Sequence, residues 1–274
     1  MKKLNIQAVK KIVPALLLGI ISIAANAQKL PKVQTKSVYA PANIKIDGKA
    51  TEWDGKYEAF DTKNNIYYTI ANDNNNLYLL IHTAEKQTIN KIFLGGITFT
   101  IISARHSPVS VTYPHAGNNG TYLHTKQGFD DMKKKSQVNA KAINDIIRLR
   151  NTEFESGHKV LAIRGVAEFT DPWISIYNDT GIKVKALFDD DLDYTYEMAL
   201  PLKYLPGGPA NLIKLKYDIQ LNGLYLGDGR WRPPSPTQGI NTTTGEVIQF
   251  KSDMNMLYTE NPTNFGGEYT LAKK

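Results

Sequence analysis

The chain has 274 residues, with 33 Lys and Arg against 26 Asp and Glu, and no cysteine. Disulfides, thiolate metal sites and thiol nucleophiles are therefore excluded, and stability must come from a hydrophobic core. Of the formal charge of +7, Lys2, Lys3, Lys10 and Lys11 carry four; the +3 that remains does not argue for a nucleic-acid partner.

Those four lysines open a leader. Ile12–Ala25 is almost wholly apolar, and Ala25-Asn26-Ala27 fits the small-x-small cleavage rule. The pattern predicts a secretory signal peptide over residues 1–27, cut before Gln28. The apolar run is shorter than the roughly 18–20 residues needed to cross a bilayer, so no membrane span is expected after cleavage. Residues 28–274 are expected to form one domain, exported to the periplasm or the cell exterior.

Gln28–Pro41 reads as an irregular arm. A short strand over Ile44–Ile46 ends at Asp47-Gly48, and a turn or short helix then presents Trp53, either as a plug at one end of the core or as a ligand-stacking ring. Ile66–His82 alternates apolar and polar residues on both sides of Asn72–Asn76, which predicts a hairpin. Phe93–Gly96 leads into a strand over Ile97–Ile101, and Val109–Tyr113 is a short extended piece. Over Phe129–Arg150, Met132, Val138, Ala142, Ile146 and Leu149 recur at roughly helical spacing, which predicts a helical insert. Val160–Phe169 returns to strand. Trp173–Tyr177 and Ile182–Phe188 flank Asn178-Asp179-Thr180-Gly181 as a second predicted hairpin, and the strand from Tyr194 should stop at Pro201. Ile213–Asn222 has the clearest pattern: Ile213, Leu215, Tyr217, Ile219 and Leu221 share one face, and Lys214, Lys216, Asp218, Gln220 and Asn222 the other. Proline-rich Arg230–Pro236 excludes regular structure, and Val247–Phe250, a piece near Met256–Tyr258 and Glu268–Leu271 read as closing strands.

Strands apolar on one face, at fairly even spacing, predict an all-β fold. The expected architecture is an antiparallel β-sandwich, with two sheets in an immunoglobulin-like or jelly-roll-like arrangement and a short helical insertion.

Three motifs occur in order: Ile46-Asp47-Gly48 with Glu52-Trp53; Tyr196-Glu197-Met198-Ala199-Leu200-Pro201-Leu202 with Tyr204-Leu205; and Asn261-Pro262-Thr263-Asn264-Phe265-Gly266-Gly267 with Leu271. Their order resembles the family 9 carbohydrate-binding module and its DOMON-like relatives over most of residues 40–274. The resemblance implies a sandwich that grips a terminal sugar, or the end of a polysaccharide, between two aromatic rings without cleaving it, and that carries structural calcium. With Trp53 assigned to a structural motif, Trp173 and Trp231 are the remaining tryptophans and the candidate pair. Many relatives have lost the sugar site, which leaves a protein-interaction module as one alternative; a haem-binding relative, with Met254 or Met256 as an axial ligand, is another.

Sugar recognition needs flat rings beneath C–H faces and planar polar groups for the hydroxyls. Trp231, beside Arg230 in a loop after the long strand, and Trp173 with Tyr177 are the ligand-binding candidates; rings that cover core edges are the alternative. Asp189, Asp190, Asp191 and Asp193 form a carboxylate cluster of the kind calcium takes, though without the glycine and distal glutamate of an EF-hand loop; a plain acidic turn is the alternative. His115 and His124 share a loop region, which leaves a transition-metal site open, while no HExxH or nucleophile elbow occurs. Gly95-Gly96 and Gly207-Gly208 lack the strand–helix context of a phosphate cradle. An enzyme with carboxylates dispersed along the chain remains the alternative to a binding protein.

Overall fold

In the computed structural model, the described residues are 29–115, 140–208, 214–223, 238–240, 244–249, 258–259 and 261–274. The expected leader and the ligand candidates Arg230 and Trp231 lie outside them, as do Met132, Val138, His124, Met254 and Met256.

The protein is a two-sheet antiparallel β-sandwich. One sheet has five strands: β1 (Ala59–Asp61), β2 (Ile66–Asn72), β3 (Asn76–Thr83), β9 (Tyr194–Pro201) and β8 (Lys183–Phe188), in that spatial order. The other has six: β13 (Thr263–Thr270), β10 (Lys214–Leu221), β4 (Ile97–Ile102), β5 (Val109–Tyr113), β6 (Val160–Arg164) and β7 (Trp173–Ser175). A separate two-stranded pair joins β11 (Gln238–Ile240) to β12 (Val247–Gln249). Among the described residues no helix is long and apolar enough to cross a membrane.

The alternating patterns become the core. Leu215, Tyr217, Ile219 and Leu221 of β10 are buried against Ile66, Tyr68 and Ile70 of β2 and Tyr196, Met198 and Leu200 of β9, in one continuous hydrophobic cluster. Three of its tyrosines pair their polar tips: the hydroxyls of Tyr68 and Tyr217 meet at 3.1 Å, and Tyr113 donates to the His158 carbonyl at 3.2 Å, whereas the buried hydroxyls of Tyr194 and Tyr196 have no partner among the described residues.

Two helices cap this core. α1 (Lys86–Gly95) turns Ile89, Ile92 and Phe93 inward. The sequence reading assigns no element to Lys86–Ile92 and takes Phe93–Gly96 only as the lead into the next strand. α2 (Ala140–Gly157) runs seven residues beyond the predicted end of the insert. Its buried residues are Ile147 and Phe154, with Ile143 and Ile146 half-buried, while Leu149 faces solvent. The stripe is thus shifted round the helix from the one the spacing suggested.

The five-stranded sheet is covered on its outer face too, by residues 38–57. Trp53, in a short 3-10 turn (Thr51–Trp53), packs with Ala40 and Ala50 on Ala71, Tyr78, Leu80 and Ala199. It therefore does not plug the end of the main core; it anchors a second, smaller one. Ile44–Ile46 forms no strand and lies here as half-buried extended chain. The join is polar. Glu197 is 1 % exposed, and its carboxylate accepts the backbone N–H groups of Asp47 (3.0 Å) and Gly48 (2.7 Å) and the Trp53 indole N–H (3.0 Å). Burial pushes the Glu197 carboxyl up, and these three donors oppose that shift. The Gln34 side chain, from the arm, closes the edge of β2 by donating to the Ile70 carbonyl and accepting its N–H.

The second predicted hairpin is corrected. β7 pairs with β6 and β8 with β9, so the two segments belong to different sheets. Asn178–Gly181 is an arch between layers: Asn178 donates to the carbonyls of Ser175 and Ile182, holding both ends. Turn residues mark a reversal without saying whether the strands beyond it pair. Two further strand limits change: Tyr258–Thr259 is helical, and β13 begins at Thr263, upstream of the predicted Glu268.

Candidate functional site: the outer face of the six-stranded sheet

Alternation in the six-stranded sheet leaves an outer face of polar side chains, and the register aligns them in rows. Trp173 stands opposite Ala162, Ala162 opposite Thr112, Thr112 opposite Thr98, Thr98 opposite Gln220, and Gln220 opposite Asn264. The row takes one side chain from each of the six strands, with Ala162 buried between Trp173 and Thr112, and at about 4.8 Å per strand it is about 24 Å long. The next row is Arg164, Ser110, Thr100, Asp218 and Gly266.

The middle of the first row is braced by hydrogen bonds on the same face. The hydroxyls of Thr98 and Thr112 lie 2.7 Å apart. Asn222, almost fully buried, accepts from Thr98 (3.0 Å) and from the Gln220 amide (2.8 Å), and donates to the Gly95 carbonyl (2.7 Å). At the far edge the Asn264 amide donates to Asp218 at 2.9 Å. Side chains held by such bonds lose little freedom when a ligand arrives.

Close backbone packing positions this end of the sheet. A Cβ on Gly95 would lie 1.8 Å from the Gly223 carbonyl oxygen, and one on Gly96, at φ +78°, 2.0 Å from that of Pro114. The two glycines therefore seat the end of α1 against the exits of β10 and β5, which explains a pair that is no phosphate cradle.

Trp173 occupies the near edge and is 41 % exposed. Its backbone N–H is held by the Asp171 carboxylate at 2.9 Å. The His115 ring lies 4.1 Å from the indole, centroid to centroid, tilted by 33°, and the Arg164 guanidinium 5.6 Å from its centroid. Burial, and then the neighbouring Arg164 and His158, hold His115 below the usual histidine range, so it is neutral at neutral pH. The arrangement is a partly exposed indole with a guanidinium over its ring and an imidazole packed against it. Tyr177, 66 % exposed, follows the strand, and no ring contact joins it to Trp173 among the described residues. Gly223, the last described residue before Arg230 and Trp231, lies at the same end of the sheet as Trp173.

The aspartates form a self-capped turn. Asp189 Oδ1 accepts the backbone N–H groups of Asp191 and Asp193, both at 2.9 Å, while Leu192, at φ 58°, tucks its side chain into the core. Asp193 Oδ2 lies 3.9 Å from His82 Nε2. Asp189, Asp190 and Asp191 line a groove of about 490 Å³ with Lys49, Asn151 and Thr195. Among the described residues no group of three or more His, Asp or Glu side chains is placed to hold a metal ion.

Sequence reasoning missed His115 and Arg164 as neighbours of Trp173, because Arg164 ends β6 and His115 follows β5, and only pairing register joins those strands to β7. It also missed a buried polar knot on α1. Lys91 is buried and donates to Thr263 at 2.8 Å, with its amine 4.3 Å from the Tyr258 ring. Asn64 Oδ1 accepts from Thr263 and Tyr258, and its carbonyl accepts from Thr88. Burial, with a smaller contribution from Lys63, pulls the Lys91 amine down to about 7. The knot fastens α1 to the β1–β2 turn and to β13.

No family model matches the chain, and no curated protein or solved structure matches it.

Proposed function

We propose that the chain is an exported, non-catalytic β-sandwich that binds carbohydrate, with Trp173 as the stacking platform. The observation that carries this reading is the part-exposed indole at the edge of a polar sheet face, with Arg164 over its ring and His115 packed against it. Sugar C–H faces lose apolar surface to water when they lie on such a ring, and the two nitrogen-bearing planes can donate to hydroxyls at its rim. The leader pattern supports export, and the face carries the neutral polar chemistry that hydroxyl-rich ligands need. The resemblance to the family 9 carbohydrate-binding module rests on the three motifs alone. Two of them, Asp47-Gly48 with Trp53 and the segment containing Glu197, meet through the Glu197 carboxylate. The third, Thr263–Gly267, forms the start of β13 beside β10.

Affinity electrophoresis and calorimetry of residues 28–274 against a panel of glycans test the proposal. Trp173→Ala should weaken binding by about tenfold or more, as loss of a central aromatic contact does, and Tyr177→Ala by less. Retention on no glycan would favour a protein-interaction module on the same fold. Release of reducing ends would instead assign an enzyme.

A further inference from the structure

We infer that the protein has a second binding site, for a small organic acid bearing a carboxylate, sulfate or phosphate group, in a groove at the other end of the six-stranded sheet from Trp173. The groove shares no residue with the Trp173 surface. Its volume is about 600 Å³, within the range of pockets that hold small organic ligands.

Two segments supply its charge. β10 begins with Lys214 and Lys216, both exposed on its outer face. The loop after β4 brings Arg105 and His106 to the same end of the sheet, because Lys216 pairs with Ile102, the last residue of β4. The lining therefore carries three permanent cations, Arg105, Lys214 and Lys216, and a single carboxylate, Glu268. That carboxylate is already committed. It is ion-paired to Lys214, whose hydrogen bond and charge, with a smaller contribution from Lys216, hold its carboxyl below the usual range. Asp218, the next outward residue of β10, accepts from Asn264 and does not line the groove. The Arg105 and Lys216 side chains make no ion pair or hydrogen bond among the described residues. Ser103 Oγ accepts the backbone N–H groups of Arg105 (3.2 Å) and His106 (3.1 Å), which leaves its own O–H to donate.

A cleft lined mainly by one sign of charge concentrates ions of the other sign. A guanidinium, an ammonium and a hydroxyl are all donors, and their bonds to an oxyanion are charge-assisted. Ile102, 38 % exposed, adds apolar surface beside those donors. A bare inorganic ion cannot use that surface, whereas the C–H face of a ring can.

A nuclear magnetic resonance titration of residues 28–274 with sodium sulfate, galacturonate and digalacturonate tests the site, with galactose as the neutral control. The amides of Ser103, Arg105 and His106 should shift saturably with the acids and stay unmoved with galactose. Digalacturonate should bind several-fold more tightly than sulfate. Arg105→Gln and Lys216→Gln should each weaken it several-fold, and more in combination. Lys45→Gln, which removes the same charge from an exposed position outside the groove, should change nothing. Raising sodium chloride from about 0.05 M to about 0.5 M should weaken binding of every acid. Equal thermal melting of the variants excludes unfolding as the cause. Binding of sulfate without the sugar acids would mark an adventitious ion only and overturn the site. Acid binding that survives the double substitution, or no acid binding at all, would overturn it too, and each result leaves the reading of Trp173 standing.

Discussion

The Glu197 carboxylate accepts three N–H groups at once, and every donor belongs to the segment that covers the outside of β9. Removing it strands buried donors, and each stranded donor costs more than an average hydrogen bond contributes. Glu197→Ala should therefore destabilise the fold by about 3 kcal/mol, whereas Trp53→Phe, which keeps the ring and deletes one N–H, should cost about 1 kcal/mol. Urea unfolding measures both; equal, negligible effects would show that the covering layer is held by its apolar contacts alone. Lys91 makes a pH prediction. Its amine keeps a proton up to the ordinary lysine value of 10.5 when unfolded, but only up to about 7 in the fold. Between those limits the unfolded chain binds more protons, so stability falls as pH drops from 10.5 towards 7. Thermal melts at pH 7 and pH 10 should show this rise for the native chain and a smaller one for Lys91→Met. An identical rise in both would assign it to other groups.

At the scale of elements, α1 shows why a helix went unread. Its ten residues carry apolar positions at Ile89, Ile92 and Phe93, the i, i+3, i+4 spacing of a single turn, which is too short a pattern to mark a helix ahead of Gly95-Gly96 and the strand residues that follow. The Glu85 side chain, which caps the Gln87 N–H, was the available start signal. The glycine pair has its own consequence. Gly96 combines a positive φ with a carbonyl where a Cβ would stand, so Gly96→Ala should cost about 3 kcal/mol or more and loosen the join of α1 to β5. A variant as stable as the native chain would contradict the tight seating of α1. The arch between β7 and β8 teaches a related point. Ile182, Val184 and Ala186 were correctly placed on a buried face, yet periodicity gives the face and not the neighbour, and the neighbour of β7 proved to be β6.

For the whole molecule, the sandwich was legible because burial on one face imprints a period of two, plainest in Leu215–Leu221. The outer layer was less so: β9 is buried on both faces, and Thr195, Glu197 and Ala199 look like solvent-facing positions until the 38–57 segment is laid over them. The candidate site was half legible. Trp173 stood out as a rare aromatic next to turn residues; the row it heads is built from pairing across six strands, which no local pattern records. The most direct measurement is a nuclear magnetic resonance titration of residues 28–274 with a neutral glycan that binds. The account predicts shifts in the Trp173 indole and in His115 and Arg164, the groups packed on it. Shifts confined to the five-stranded sheet or to the Asp189–Asp193 turn, with Trp173 unmoved, would contradict it.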